Sequence, residues 1–315
     1  MQKRYLITGG SGFIGSNYIN YIHENDSNAL VVNIDKLDYC ASEKNVICRE
    51  DISRYVFIHK SICDKFALLN ILNEYDITHV IHFAAQSHVD NSFDKALDYT
   101  MDNVYGTHCL LEASKLYENL TLFLHFSTDE VYGESINSDK FHEKSILCPT
   151  NPYSATKAGA EMLVNSYIYS FKLPCLITRC NNVYGPNQYK EKLIPKFFNL
   201  LENNESLTIH GDGSSLRSFI HVYDVCTAID LIIEKGVINE VYNIGSNDDQ
   251  EMTVLDVAKC ICTYYKDGKY KEKFNSLEYV PDRPFNDKRY FITNNKLKEL
   301  GWKCTKTLID YVKSH

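Results

Sequence analysis

Tyr153 and Lys157 stand at positions i and i+4 of the segment Tyr153-Ser154-Ala155-Thr156-Lys157. On a helix such positions share a face, so a phenol and an ammonium can meet there. A tyrosine normally titrates near ~10. A neighbouring ammonium, together with the positive ring of a bound dinucleotide, stabilises the phenolate and brings that value toward working pH. Tyr153 can then take a hydroxyl proton while a hydride leaves the same carbon, and Lys157 can hold the adjoining ribose. Such a pair is common on ordinary surface helices, so its meaning depends on an accompanying nucleotide site.

The N-terminal segment supplies one. Thr8-Gly9-Gly10-Ser11-Gly12-Phe13-Ile14-Gly15 follows an apolar run and opens a helix-like stretch. Small residues let the backbone turn tightly and approach a pyrophosphate, which the helix N-terminus then meets with unpaired N–H groups. The next apolar run ends at Asp35, 20 residues beyond Gly15. A carboxylate there accepts hydrogen bonds from a ribose diol and repels a 2′-phosphate, which favours NAD over NADP. Lys36, beside it, pulls the other way.

The elements that must position these groups follow from the pattern. Tyr5–Ile7, Leu30–Ile34, His79–Phe83, Leu122–Phe126 and Cys175–Thr178 read as buried strands. Between them lie amphipathic stretches at 12–24, Lys65–Glu74, 104–117 and 154–169. This alternation predicts an α/β fold, a doubly wound parallel sheet of the Rossmann type. After Arg179 the rhythm changes, with short strands at 207–210, Val241–Ile244 and 277–280 among helices at 193–201, 222–234 and 254–265. We expect a smaller, mixed α/β C-terminal substrate lobe. The expected division is 1–179 with roughly 209–245 for the nucleotide domain, and roughly 180–208 with 246–315 for the lobe.

Bulk properties bound the function. The chain has 315 residues, 44% hydrophobic and 23% charged, with a formal net charge of -8. That balance argues against a nucleic-acid partner, which selects a basic patch. The eleven cysteines are scattered without metal-ligand spacing and read as reduced thiols, so no metal is expected. Met1–Leu6 runs straight into a strand with no leader pattern, and no apolar run approaches the ~20 residues of a membrane span. The expectation is a cytoplasmic protein without a membrane partner.

Beyond these patterns the chain resembles the extended short-chain dehydrogenase/reductase superfamily, and within it the sugar-nucleotide 4,6-dehydratases. The resemblance covers nearly the whole chain. It rests on Ser127-Thr128-Asp129-Glu130-Val131-Tyr132-Gly133, on Asp35 to Cys40, on His82 to Phe93, on Thr150 to Val164, on Asn181 to Gln188, on Glu191 to Phe197 and on Arg283 to Phe291. It is similar to the UDP-glucose dehydratase domain of plant UDP-rhamnose synthases and somewhat less to dTDP-glucose 4,6-dehydratases.

The resemblance implies oxidation of a nucleotide-bound glucose at C4, loss of water across C5–C6, and hydride return to C6. It implies Thr128 as a hydrogen-bonding partner of the reacting hydroxyl, Glu130 as base and Asp129 as acid. Close approach and desolvation can separate the pKa values of such a pair. It further implies that Gly9, Gly12, Phe13, Ile14, Gly15, Asp35, Lys36, Leu37, Asp38, Ser61, Ile62, Phe83, Ala84, Ala85, Ser87 and Val183 face the cofactor, with Tyr153 and Lys157. Ser87, Thr128, Asn182, Lys192, Leu193, Arg217, Asn243, Arg283 and Asn286 would hold the substrate. Where relatives have an Asp-Ile pair against the adenine, this chain has Ser61-Ile62. A homodimer through a four-helix interface is implied, with the helices at 104–117 and 154–169 as candidates. The commonest destination of the product is rhamnose. The competing readings are a UDP-sugar 4-epimerase or UDP-glucuronate decarboxylase, which generally lack the Asp-Glu pair, and a catalytically silent NAD-binding scaffold.

Overall fold

A computed structural model describes residues 2–136, 139–282 and 287–315. Its main sheet contains seven strands: β1 (Arg4–Thr8), β2 (Leu30–Asp35), β3 (Tyr55–His59), β4 (His79–His82), β5 (Leu122–Thr128), β6 (Cys175–Cys180) and, from late in the chain, β10 (Val241–Ile244). All neighbours run parallel in the order β10-β6-β5-β4-β1-β2-β3. The chain therefore winds one way from β1 to β3 and then returns to β4 on the other side of β1. The crevice between β1 and β4, at their carboxyl ends, is where such sheets bind ligands.

Period-two alternation sends residues to opposite faces of the sheet. Tyr5 and Ile7 join a core with α1 (Phe13–Asn25) and α8 (Val222–Lys235). Leu6, Val32 and Phe123 join another, with α2 (Lys65–Glu74), α5 (Gly106–Leu116) and α6 (Pro152–Phe171). The short helices α3 (Val89–Asp94) and α4 (Ala96–Tyr99) lead into a π-type turn, Thr100–Tyr105, at the head of α5. The wider i→i+5 hydrogen bonding of such a turn often marks functional ground.

The remaining elements build the second lobe. β7 (Asn182–Tyr184) and β11 (Glu251–Thr253) flank β9 (Leu216–His221), and β8 (Thr208–His210) pairs with β12 (Glu278–Val280). A third core joins α7 (Leu193–Glu202), α9 (Val254–Tyr264) and α11 (Leu308–Lys313), while α10 (Asn295–Glu299) packs on β10. The sheet bears out the doubly wound expectation. β3 was not anticipated, and β10, one of the short strands read after Arg179, completes the large sheet. No helix among the described residues is long and apolar enough to cross a membrane.

Candidate active site

One cavity of about 440 Å³ runs from the carboxyl end of β2, across the β1–β4 crevice, to β8 and β9 in the second lobe. Its dinucleotide end is shaped by absent side chains. Gly9 has φ +70°, and a Cβ there would lie 2.7 Å from the Ala84 backbone. A Cβ on Gly15 would lie 2.4 Å from the Gly9 carbonyl oxygen. Gly12 is the N-cap of α1 and offers no capping side chain, which leaves the first-turn amides facing the cavity. Asp35 is held by N–H donors from Ser11 at 3.0 Å and Leu37 at 2.8 Å. These features fit a pyrophosphate on the helix terminus and a ribose diol on Asp35.

The reacting groups cluster where β5 ends. Thr128 closes the strand, and Asp129–Tyr132 forms a tight turn in which the Thr128 hydroxyl accepts from the Glu130 N–H. Parallel register sets Thr128 against Cys180, so Asn181 follows directly beside Asp129. Its amide donates to one Asp129 oxygen at 2.7 Å, and the Thr128 hydroxyl reaches the other at 3.2 Å. Asp129 is 2% exposed. Burial, and next the Glu130 carboxylate, push its pKa up to about 7. Burial also raises Glu130, against a 3.1 Å hydrogen bond from Asn151 and the charges of Arg217 and Lys192. Burial thus raises both acids, each accepts from an asparagine amide and each feels the charge of Arg217; Asp129 carries in addition the repulsion of Glu130.

Asn151 does a second task. It caps α6 in a capping box with Ser154, ahead of Pro152 at the first helical position. The residue that fixes the start of the Tyr153/Lys157 helix thus also orients Glu130. Lys157 donates to the Phe126 carbonyl at 2.7 Å, and burial lowers its pKa to about 8, with Glu161 opposing. Tyr153 hydrogen-bonds Thr128, yet burial and then the Glu130 carboxylate raise its pKa well above the ordinary value. This differs from the expectation that Lys157 lowers it. The ammonium is aimed at a carbonyl, and the charges closest to the phenol are negative.

Thr128, Asp129, Glu130, Tyr153 and Lys157 are brought to one wall of the cavity. Gly9, Gly12, Phe13, Ile14, Gly15, Asp35, Lys36, Asp38, Ser61, Ile62, Phe83, Ala84, Ala85, Ser87 and Val183 line it, as do Asn182, Lys192, Leu193 and Arg217. Lys192 spans the lobes through a 2.9 Å bond to the Ser87 carbonyl. Two of the expected residues stand apart from the lining. Leu37 is not part of the lining and contributes a backbone N–H to Asp35 at φ 54°. Asn243 is not brought to the cavity either. It is fully buried at β10, accepting from Tyr132 at 2.8 Å and donating to the Thr293 carbonyl at 3.0 Å. Arg283 and Asn286 lie outside the described residues.

Several lining residues were not anticipated. Asn151 carried a signal, as a polar residue before Pro152 at a helix start. Asn181, Gln86, Asp102, Asp287 and Tyr290 reach the cavity only through tertiary packing. Asp287 accepts from the hydroxyls of Thr150, at 2.6 Å, and Tyr290, and so stands near Glu130 with its charge.

Comparison with known proteins agrees with this architecture. The family described as GDP-mannose 4,6 dehydratase matches residues 6–315. A trifunctional UDP-glucose 4,6-dehydratase/UDP-4-keto-6-deoxy-D-glucose 3,5-epimerase/UDP-4-keto-L-rhamnose-reductase of Arabidopsis thaliana is 47% identical over 302 residues. That match covers 95% of this chain and 44% of the relative, so the chain spans under half the relative's length. A human dTDP-D-glucose 4,6-dehydratase is 45% identical over 302 residues, covering 96% of this chain and 85% of the relative. The crystal structure of dTDP-glucose 4,6-dehydratase from Bacillus anthracis, in complex with NAD, superposes with a TM-score of 0.89 at 36% identity, covering 99% of this chain and 94% of that one. With its sheet, its crevice and the family match over residues 6–315 all in agreement, the chain belongs to the GDP-mannose 4,6 dehydratase family.

Proposed function

We propose that this protein is an NAD-dependent 4,6-dehydratase of nucleoside-diphosphate glucose, with UDP-glucose preferred over dTDP-glucose. The observation that carries this reading is the Asp129–Glu130 pair, set beside Thr128 and Tyr153, with Asp129 raised to about 7 by burial and by the Glu130 carboxylate. An epimerase needs one base for one hydroxyl. An elimination needs a base and a separate acid on neighbouring carbons.

In this reading Tyr153, hydrogen-bonded to Thr128, takes the C4 hydroxyl proton as the phenolate, a form that burial and the Glu130 carboxylate oppose and that the positive charges of Lys157 and a bound nicotinamide ring would favour. NAD, when bound, would supply the redox chemistry, taking hydride from C4 and returning it to C6, and Lys157 would hold its ribose and add positive charge there. Glu130 removes the C5 proton that the C4 ketone has made acidic, and returns a proton to C5 when C6 is reduced. Asp129, which burial and the Glu130 carboxylate keep partly in its acid form at neutral pH, gives its proton to the departing C6 oxygen, which leaves as water. Arg217 and Lys192 meet the diphosphate from the second lobe, along with Asn182, Leu193 and Ser87.

The preference for UDP-glucose rests on likeness to the Arabidopsis relative, whose name also points to use of the product in making UDP-rhamnose. We also propose a cytoplasmic homodimer of two-lobed chains, with β7, β8, β9, β11 and β12 in the substrate lobe and β10 with the nucleotide domain. Met101 and Tyr105 on the π-turn and Met162 and Tyr169 on α6 are exposed apolar side chains at helical spacing, which a second copy would cover. Purified protein given UDP-glucose should yield a 4-keto-6-deoxy product one water lighter. Exchange of the C4 configuration with no loss of mass would favour the epimerase reading instead.

A further inference from the structure

Lys36 follows directly on the ribose-binding Asp35, and a lysine so placed would by itself welcome a 2′-phosphate as a point charge. The structure gives that ammonium other partners. Its Nζ lies 2.6 Å from Asp102 Oδ2 and 3.1 Å from Asp38 Oδ2. Gln86 Nε2 donates to the same two oxygens, at 2.8 Å and 2.7 Å. Four side chains from three separate segments thus close a ring: the turn after β2, the turn after β4, and the π-turn. All four line the cavity at its dinucleotide end.

The ring is held from behind. Asn103, next to Asp102 and 1% exposed, accepts from the Gln86 N–H at 2.7 Å and donates to the Gln86 carbonyl at 3.0 Å. Another Asn103 N–H bond, at 2.9 Å to Thr156, ties this turn to α6. Lys60 lines the same end, with its backbone N–H on the Asp35 carbonyl at 3.1 Å. Asp35, Asp38 and Asp102 set against Lys36 and Lys60 leave the end one negative charge in excess, three minus two.

We propose that Asp102 and Asp38, spaced by Gln86, are cofactor-selectivity residues that occupy Lys36 and so make the ribose site reject a 2′-phosphate. The proposal rests on the reading that the cavity holds NAD, and it deepens that reading. A 2′-phosphate carries roughly −1.5 to −2 charge at neutral pH. To reach Lys36 it must draw the ammonium off two carboxylates and then lie beside them. A free 2′-hydroxyl makes no such demand. This is discrimination by repulsion as well as by contact.

The test is isothermal titration of the full chain with NAD+ and with NADP+. The variants are Asp102→Asn, Asp38→Asn, and Asp102→Asn combined with Lys36→Ala. Each single variant should shift the NADP+ to NAD+ affinity ratio toward NADP+ by about tenfold, the scale of one removed like-charge contact. The added Lys36→Ala should cancel that gain, because the freed ammonium is what receives the phosphate. Two different carboxylates keep the test decisive if one variant does not fold. Wild-type protein that binds NAD+, with single variants whose ratio stays within about twofold, would overturn this assignment alone. Wild-type protein that binds neither dinucleotide would overturn the NAD reading as well.

Discussion

At neutral pH an Asp129 carboxyl that titrates near 7 is divided between its acid and its anion. The proposed role needs the acid, so turnover should fall as pH rises through about 7, and a pH–rate profile reads that limb directly. Stability carries the same signature. A carboxyl raised from 3.8 to about 7 leaves the fold unpenalised below pH 3.8 and progressively destabilised up to about pH 7. Asp129→Asn should therefore be more stable than wild type at pH 8, by roughly 4 kcal/mol at most, with the gap closing toward pH 4. Equal denaturation midpoints at both pH values would remove the raised pKa. Glu130→Gln combined with Asp129→Asn should stop elimination while C4 oxidation proceeds, so absorbance of bound NADH should build up after substrate is added. Tyr153→Phe should lower turnover by about 10²–10⁴. The residues behind these predictions were legible because they fall in short linear runs, Thr128 to Glu130 and Tyr153 to Lys157. Asn181 and Asp287 were not, since register and chain folding bring them in from distant positions. Asn243 shows the converse: a polar residue at a strand end points inward once Tyr132 and the Thr293 carbonyl satisfy it.

Among the elements, α6 concentrates both stability and chemistry. Asn151→Ala removes its cap, at a typical cost of about 0.5–2 kcal/mol. It also strips Glu130 of its amide donor, which should raise the Glu130 pKa further. A lower Tm together with a basic limb unchanged in position and an acidic limb moved upward in pH would match both roles. A changed Tm with an unmoved profile would leave Asn151 as a cap alone. The turn after β1 is equally exacting. Gly9→Ala puts a Cβ 2.7 Å from Ala84 at a positive φ, so NAD affinity should fall sharply when titrated. Hydrophobic period and the Gly-rich turn made β1, β2, β4, β5 and β6 readable. β3 escaped because an edge strand is covered on fewer sides, and Val56, Phe57 and Ile58 are only half-buried. The π-turn at Thr100–Tyr105 has no periodic signature to read.

At the level of the whole molecule, the cavity depends on two lobes that the chain visits in alternation. β10 returns to the large sheet after β7, β8 and β9 have started the second lobe, which is why the mixed half could not be divided by rhythm alone. Lys192 on one side and Ser87 on the other are bonded across the opening. Assembly is testable at the same scale. Met162→Asp on the exposed face of α6 should convert a sedimenting dimer into a monomer, because a charge in an apolar interface lacks a partner. A wild-type protein that already sediments as a monomer at micromolar concentration would sink the dimer.

The chemistry itself is settled most directly by turnover of UDP-glucose and dTDP-glucose in parallel, followed by mass and by the alkaline absorbance of a 4-keto-6-deoxy sugar. A product one water lighter from both, with the higher kcat/KM for UDP-glucose, is the expected result. Preference for dTDP-glucose would overturn the nucleotide assignment alone. No loss of water from either substrate by protein that binds NAD would contradict the dehydratase assignment itself.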